Sequence, residues 1–347
     1  MARIGLAYDL IRLDGPHDVP LDFVAEFDSE ETIQAMAHAL ESRGHEVIFL
    51  EADEEFAHKL RVSHPDIVFN VAEGMHGECR ESHVPAMCEF FRIPYTGSGV
   101  LTLSLCLNKA RTNDVLTSND VRVPPFQVFY SRQDVLRLDA GFPLIVKLLH
   151  EGSSMGLSKK SVVTDENSLR EQVEFVLDTY HQPALVQKYI IGREFTVGVL
   201  GNEGPYTLPI TEVVFQDPYG IVTFCPDEEV LPMVARARGE QFLIEFTSQV
   251  IPKKVICPAN ISAELARRIN QTVIQAFKAL ECRDWCRVDL RVDRDENIYV
   301  LELNPIAGIA PGYWLPNSAA VAHLDYAAFI NRILDIAWER IHNNHHA

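Results

Sequence analysis

Residues 287–304 read RVDLRVDRDENIYVLELN. The polar segment DRDEN lies between two apolar runs and has the composition of a turn, so the stretch predicts a β-hairpin. Side chains two apart in a strand share a face, which pairs Arg287 with Asp289 and Glu302 with Asn304. The hairpin would then present three oxygen ligands and one cation, and Mg²⁺ prefers such hard oxygen ligands. A solvated hairpin face would alternate in the same way, so the pattern alone leaves both interpretations open.

A second informative segment is the loop Glu151–Gly156, EGSSMG, which follows a strand-like run ending at Lys147. Its glycines leave backbone N–H groups free, and Ser153 and Ser154 add hydroxyl donors, so the loop is suited to phosphate oxygens. It is not a P-loop, because the Gly-Lys-Ser/Thr ending is missing. An ordinary Gly/Ser turn is the alternative.

Two weaker signals flank this loop. Residues 187–190, QKYI, end a predicted strand and could expose backbone groups to an adenine edge, with Glu194 accepting hydrogen bonds from a ribose. Lys109 lies near a predicted helix start, where a cation is unfavourable unless an anion binds there. Taken alone, Glu194 and Lys109 are better explained as solvated surface side chains.

The first third of the chain alternates short strands with helices. Three segments have the length and apolarity of strands, namely Arg3–Tyr8, Val47–Leu50 and Ile67–Asn70. Glu30–Arg43 has helical spacing, and either Ser29 or Asp28 can cap its start. This order predicts a doubly wound parallel sheet with ligands beyond the carboxyl ends of its strands. Later candidate elements follow an α+β pattern and include a final helix near 326–341.

Composition excludes several classes of function. The 347 residues contain 31 basic and 49 acidic side chains, a formal charge of −18, which argues against nucleic-acid and anionic-membrane partners. No apolar run approaches the roughly 20 residues of a membrane span. Seven cysteines are an odd number, and the amino terminus lacks a signal-peptide cleavage pattern. We therefore expect a cytoplasmic protein with free thiols.

In their order and spacing these motifs resemble the ATP-grasp superfamily, and most closely its D-alanine–D-alanine ligases. The resemblance spans nearly the whole chain. The matching segments are PYTGSG at 94–99, the lysine helix at 107–112, VK at 146–147 with EGSSMG and SK after it, KYIIGREFTVGVLG at 188–201, ICPA at 256–259, and RVD with LELN and its following glycine at 287–308.

The resemblance implies a fold and a division into domains. An α/β amino-terminal domain with a doubly wound parallel sheet would occupy residues 1–96. A two-lobed α+β ATP-grasp fold would follow, with a small lobe at 97–186 and a magnesium-bearing lobe at 187–347.

The resemblance also implies roles for individual residues. ATP would be bound by Lys109, Lys147, Ser153, Ser154, Gln187, Lys188, Tyr189, Ile190 and Glu194. Two Mg²⁺ ions, or Mn²⁺ in their place, would be held by Asp289, Glu302 and Asn304. Arg287 would face the reacting carboxylate, and Ser153 and Glu26 would complete the catalytic set.

The substrate side departs from the family pattern. Tyr313 and Trp314 stand where the ligases place a Ser-Leu pair that binds the acceptor carboxylate, and Glu73, Arg80 and Glu81 lie in a segment that replaces a shorter one. Glu73, Arg80, Tyr313 and Trp314 are therefore candidate substrate contacts. The family's active-site-loop lysine has no clear counterpart within 247–254, where Lys253 and Lys254 are the candidates.

Together these features imply an ATP-dependent carbon–nitrogen ligase that joins a carboxylate to an amine through an acyl phosphate. Its partners would be small amino-acid-like molecules, and we expect a homodimer. A ligase for substrates other than D-alanine and a nucleotide-binding module without catalysis are the alternatives. The aromatic pair leads us to expect that D-alanine is a poor second substrate and that a larger or differently charged amine is preferred.

Overall fold

The computed structural model describes residues 1–12, 20–217, 219–224, 231, 234, 236 and 253–344. Most of the stretch 215–254 lies outside these residues, and so do residues 247–252 of the candidate active-site loop. Within the described residues, no helix is both long and apolar enough to cross a membrane.

The amino-terminal part is built on a three-stranded parallel sheet. Strands β1 (Arg3–Tyr8), β2 (Glu46–Glu51) and β3 (Ile67–Asn70) pair in the order β2-β1-β3. Helix α1 (Glu30–Glu41) begins where the sequence predicts, since the Ser29 side chain accepts a hydrogen bond from the Thr32 amide. The predicted parallel sheet is thus confirmed.

Four helices complete this part of the chain and lead into the next. They are α2 (Phe56–Ser63), α3 (His83–Phe91), α4 (Val100–Leu107) and α5 (Lys109–Ser118). Asn108 ends α4 and caps α5 by accepting from the Arg111 amide at 3.1 Å. The cap fixes Lys109 as the first residue of α5.

A four-stranded antiparallel sheet forms the small lobe. Its strands pair in the order β4-β7-β5-β6. Helix α6 (Glu166–Tyr180) packs its apolar side on this sheet, with Leu169 and Val173 in the same core as Leu144 and Val146. The strands are β4 (Phe126–Phe129), β5 (Leu144–Leu148), β6 (Val162–Val163) and β7 (Ala184–Lys188).

The larger sheet has six strands and contains the predicted hairpin. Its order is β11-β10-β8-β12-β13, and β9 pairs with β8. Helix α7 (Ala263–Ala279) covers it with a strongly amphipathic face that buries Leu265, Ile269 and Val273. The strands are β8 (Gly192–Leu200), β9 (Tyr206–Thr207), β10 (Thr211–Phe215), β11 (Lys253–Ile256), β12 (Trp285–Asp293) and β13 (Ile298–Asn304).

The last two helices return to the beginning of the chain. Helix α8 (Trp314–Val321) is followed by α9 (Tyr326–Asn344), which packs on α1. Phe329 and Ile333 of α9 share one hydrophobic core with Ile4 and Leu6 of β1. The final helix therefore stabilises the amino-terminal sheet, although the predicted limit places it in the third domain. The domain limits stay a prediction.

Candidate active site

The β12–β13 hairpin brings the predicted metal ligands together. Arg287 lies opposite Asn304 and Asp289 lies opposite Glu302, with a bulge directly after Asp289. The Asp289 carboxylate accepts from Arg287 Nε at 3.0 Å and from Asn304 Nδ2 at 3.2 Å. These four side chains, which span positions 287 to 304 of the sequence, therefore form one cluster on the sheet surface.

Two lysines face this cluster. Lys109 is 8% exposed, donates to the Glu151 carbonyl oxygen, and has its Nζ 3.8 Å from Glu302 Oε2. Burial lowers the pKa of Lys147, and nearby Glu302 only partly offsets this effect. Burial would raise the pKa of Glu302, but Lys109, Lys147 and Arg287 outweigh it and lower that pKa. The excess of buried cations favours a polyanionic ligand.

The loop at 151–156 lies over the lysines and carries free N–H groups. Ser153 and Ser154 both have left-handed backbones, with φ of 45° and 61°. Their amides donate to no partner among the described residues, whereas the neighbouring Met155 amide bonds the Gly152 carbonyl. Left-handed serines are uncommon, and consecutive free amides form an anion-binding concavity. The structure thus agrees with the phosphate-binding interpretation.

An outer cleft runs beneath this loop, with about 860 Å³ of space counting the part open to solvent. Gln187 is 1% exposed, and its Nε2 has no hydrogen-bond partner in the described part of the chain. The predicted residues that line the cleft are Lys109, Lys147, Ser153, Ser154, Gln187, Lys188, Tyr189, Ile190, Glu194, Arg287, Asp289, Glu302 and Trp314.

Arg291 is a cleft residue that the sequence analysis missed. It is 4% exposed, and its Nη2 lies 2.7 Å from Glu194 Oε2. Its Nη1 donates to the Ile190 carbonyl at 3.0 Å, and the guanidinium stacks 4.5 Å from the Tyr189 ring centroid. The signal was present, since Arg291 continues the Arg287–Asp289 alternation along β12.

Burial raises the pKa of Glu194, and Arg291 opposes that rise. The same guanidinium lowers the pKa of Tyr189 against a larger increase from burial. Arg291 thus keeps a buried carboxylate paired at the place predicted to receive a ribose.

An inner pocket adjoins the outer cleft, with about 480 Å³ of space. Glu73, Glu81 and Asn304 line it but not the outer cleft. The residues lining both cavities are Lys109, Glu151, Gly152, Ser153, Arg287 and Glu302. The two cavities therefore meet at the cluster of predicted phosphate, metal and carboxylate groups.

Arg80 and Glu26 line neither of these cavities. The Arg80 guanidinium is ion-paired with Glu26 and, at 2.9 Å, with Glu151. Glu26 Oε1 also accepts from the Gly152 amide at 2.8 Å. Arg80 and Glu26 thus hold the loop in place. The substrate contact predicted for Arg80 and the catalytic role predicted for Glu26 stay predictions.

The aromatic pair divides between two environments. Trp314 lines the outer cleft, where the Arg287 guanidinium lies 5.7 Å and Lys253 Nζ 5.5 Å from its ring centroids. Tyr313 is 39% exposed, and its ring covers Gly308 so closely that a Cβ there would lie 2.8 Å from it. Trp314 is thus better placed than Tyr313 to contact a ligand.

The ligand set suits magnesium but not a metal held by protein alone. No group of three or more His, Cys, Asp or Glu side chains in the described ranges could hold a metal ion. Asp289 and Glu302 supply two carboxylates on paired positions, and Asn304 adds an amide. Magnesium in phosphate-transfer sites uses one or two carboxylates with phosphate oxygens and water, so these residues fit it.

The chain matches a known family model over residues 115–335, the model described as the D-ala D-ala ligase C-terminus. An uncharacterized protein of Sinorhizobium fredii, y4sG, is 34% identical over 88% of this chain and 87% of its own. The D-alanine–D-alanine ligase of Cupriavidus pinatubonensis is 30% identical over 89% of this chain and 86% of its own.

Solved structures show the same fold. A D-alanine–D-alanine ligase from Bacillus anthracis, complexed with ATP, superposes with a TM-score of 0.73 at 22% identity, covering 99% of this chain and all of its own. The VanG D-Ala:D-Ser ligase from Enterococcus faecalis superposes with a TM-score of 0.71 at 18% identity, and the match covers 96% of this chain and 99% of the ligase chain. The expected ATP-grasp architecture is thereby confirmed.

Proposed function

Because this chain belongs to the D-alanine–D-alanine ligase family, we propose that it joins the carboxylate of one small amino-acid-like molecule to the amine of another, converting ATP to ADP and phosphate. The observation that supports this most is the junction of the two cavities. A nucleotide in the outer cleft and a carboxylate in the inner pocket would meet between Lys109, Arg287 and Glu302.

On the nucleotide side, the unpaired Gln187 amide is free to donate to the adenine edge, while Lys188, Tyr189 and Ile190 frame the base. Glu194, held by Arg291, accepts from the ribose hydroxyls. The phosphates would bind to the cations of Lys109 and Lys147, which share the single carboxylate of Glu302, and to the open amides of Ser153 and Ser154. A bound phosphate would stabilise the charged form of Lys147 in particular, because the anion would offset the burial that lowers the pKa of this residue.

Asp289, Glu302 and Asn304 would hold the metal, with two Mg²⁺ ions expected and Mn²⁺ as a substitute. Magnesium, when bound, neutralises the charge on the transferring phosphoryl group.

The reaction has two steps. A carboxylate oxygen of the first substrate attacks the γ-phosphorus, ADP leaves, and an acyl phosphate forms. The amine of the second substrate then attacks the acyl carbon, an amine proton is lost, and phosphate leaves. Arg287 and the open amide of Ser153, which line both cavities, would stabilise the oxyanion of this second step. The loop excludes water, which would otherwise hydrolyse the acyl phosphate.

The fold alone does not choose the acceptor, since solved structures of this fold bear the names of both a D-alanine and a D-serine ligase. Incubation with ATP, Mg²⁺ and pairs of D- and L-amino acids, read by phosphate release and product mass, tests the proposal. We expect one or more pairs to give a condensed product with equimolar phosphate. Binding of ATP without phosphate release for any pair would support a non-catalytic nucleotide-binding module instead.

A further inference from the structure

Three buried thiols meet between the larger sheet and the helix that precedes Lys109. Cys106 lies in the last turn of α4, Cys282 lies in the turn after α7, and Cys286 lies in β12. Each is no more than 6% exposed, and all three belong to the core between α7 and the sheet. The thiols of Cys106 and Cys286 donate hydrogen bonds to the Cys282 sulfur. Cys282 is thus the middle member of a chain of three sulfurs.

The surroundings of Cys282 favour its thiolate form. The Ser98 hydroxyl also donates to the Cys282 sulfur, and it accepts from the Arg283 amide at 3.0 Å. The hydrogen bonds from Cys106 and Cys286 lower the pKa of the Cys282 thiol, although burial opposes them. The same hydrogen bond, together with burial, raises the pKa of Cys106. Cys282 is therefore the most nucleophilic of the three, because the thiolate is the reactive form of cysteine.

Cys106 connects this cluster to the inner pocket. It lines that pocket together with Leu107 and Lys109. A molecule as small as hydrogen peroxide that enters the pocket therefore meets the wall formed by Cys106, with Cys282 directly behind it. The thiols are not a metal site, since no group of three or more His, Cys, Asp or Glu side chains in the described ranges could hold a metal ion. The chemistry open to them is that of a pair of thiols.

We propose that Cys106 and Cys282 form a redox-sensitive dithiol, which hydrogen peroxide oxidises to a disulfide that slows turnover. The Cys282 sulfur attacks one peroxide oxygen, the O–O bond breaks, and a sulfenic acid forms with release of water. The Cys106 sulfur then attacks the Cys282 sulfur, the S–O bond breaks, and the leaving hydroxide departs as water with the Cys106 proton. Two thiols are oxidised and one peroxide is reduced.

Cys106 is better placed than Cys286 to complete the disulfide. Cys286 is fully buried in β12, where it pairs with Val199 of β8. Because β12 has β8 on one side and β13 on the other, a movement of Cys286 would disturb two hydrogen-bonded ladders. Cys106 lies one residue before α4 ends, and helix ends move at lower cost.

The disulfide changes the position of a residue that the proposed reaction needs. Two sulfurs in hydrogen-bonded contact must approach further to form a covalent bond, so the end of α4 is drawn towards the turn after α7. Asn108, two residues after Cys106, caps α5 and fixes Lys109 as its first residue. Lys109 then moves relative to Glu302, whose Oε2 lies 3.8 Å from its Nζ. Oxidation therefore lowers turnover and leaves the sheets in place.

The disulfide can be identified directly, because trypsin sites at Lys109, Arg283 and Arg287 separate the three cysteines. The protein is incubated with hydrogen peroxide, its remaining thiols are alkylated, and the digest is analysed by mass spectrometry. We expect the peptide of residues 93–109 to be joined to that of residues 279–283. A link between 279–283 and 284–287, or no link at all, would overturn the inference. This measurement needs no turnover, so its outcome is independent of the proposed function.

Turnover is then compared before and after peroxide in the wild type, Cys106→Ala and Cys282→Ala, with melting temperatures to establish that each untreated variant is folded. We expect wild-type turnover to fall about tenfold or more and to recover with a dithiol reductant, whereas each variant stays within about twofold of its own untreated rate.

Cys79→Ser and Cys225→Ser are the controls. Cys79 is exposed and lines neither cavity, and Cys225 lies outside the described residues. Both controls should lose turnover as the wild type does. Equal loss in Cys282→Ala, protection by either control substitution, or a linked peptide without loss of turnover would overturn the inference.

Discussion

Arg291 joins three parts of the outer cleft through one side chain. It pairs with Glu194, bonds the Ile190 carbonyl and stacks on Tyr189, and it is almost fully buried. A planar guanidinium can make these contacts at once, whereas a lysine ammonium cannot reproduce the fork or the stacking. Even the conservative replacement of Arg291 by lysine should therefore impair the site.

Arg291→Lys should raise KM for ATP about tenfold and lower the melting temperature, because Glu194 loses its two-point partner within a buried site. The amino-acid KM should be unchanged. Steady-state kinetics with each substrate varied in turn measure both values. Arg193→Lys, on the same sheet with a half-exposed guanidinium paired to Glu212, is the matched control. An ATP KM equal to that of the control would contradict the role of Arg291.

Glu302→Gln should abolish turnover and leave the fold nearly intact, since the change removes a ligand charge and keeps the volume. Because a neutral amide is a weaker Mg²⁺ ligand than a carboxylate, the variant should require more Mg²⁺ for any residual activity. Glu296→Gln, on the turn of the same hairpin, should behave as the wild type. A Glu302→Gln rate above about a tenth of wild type, a loss under 1.4 kcal/mol, would show that Glu302 does not bind metal.

Glu81 makes stability depend on pH. Its pKa is about 8 in the folded protein against an ordinary value of 4.5, so the folded state binds the extra proton between these limits. Stability from this group is present below about pH 4.5 and is lost as pH rises through 8. The melting temperature of Glu81→Gln relative to wild type should therefore increase from pH 5 to pH 8. A difference that is constant with pH would contradict the raised pKa.

At the scale of elements, the loop at 151–156 is anchored by a short segment from the amino-terminal part. Asp22 accepts from the Gly156 amide at 2.7 Å and from the Tyr180 hydroxyl at 2.8 Å. Glu26 accepts from the Gly152 amide at the other end of the loop. The open amides at 153 and 154 are thus held between two fixed points.

Asp22→Asn should loosen this loop, because a neutral amide oxygen is a weaker acceptor than a carboxylate. Hydrogen exchange of residues 151–157 should accelerate about tenfold, the size expected from losing one charged hydrogen bond, and KM for ATP should rise. Glu30→Gln, at the exposed first residue of α1, is the control. Equal exchange in the two variants would show that Asp22 does not anchor the loop.

The hairpin and the parallel sheet could be predicted because their signals are local. Apolar alternation and turn chemistry define β12 and β13, and a serine cap defines the start of α1. Strand β8 begins at Gly192, where its pairing with β12 reaches Asp293. Helix α8 was not predicted, because Pro316 suggests the end of a helix. Proline is tolerated in the first turn of a helix, however, and Pro316 lies there.

The site was predictable only where a motif carried it. The nucleotide and metal residues meet as the resemblance implies, yet nothing local shows that Arg80 would turn to Glu26 and away from the inner pocket. That contact joins residues 54 positions apart, and such pairing depends on how the chain folds as a whole. Tyr313 lines neither the outer cleft nor the inner pocket, and its predicted substrate contact stays a prediction.

At the scale of the whole molecule, residues on or near each of the three sheets contribute to the site. The amino-terminal part contributes Glu73 and Glu81, the small lobe contributes Lys147 and the loop, and the larger sheet contributes the hairpin. A buried network ties these parts together, because Asp284 binds Arg340 of α9 and accepts from the Gly97 amide at 2.7 Å. The arrangement brings the outer cleft and the inner pocket to one junction.

The most direct test of the account follows oxygen from the carboxylate to the phosphate. The enzyme is given ATP, Mg²⁺ and the productive pair of amino acids, with the carboxylate of the first amino acid labelled with ¹⁸O, and the released phosphate is weighed by mass spectrometry. Because the carboxylate oxygen attacks the γ-phosphorus and later leaves with it, we expect one ¹⁸O atom in each phosphate. Phosphate free of ¹⁸O, formed together with the condensed product, would contradict activation of the carboxylate through an acyl phosphate.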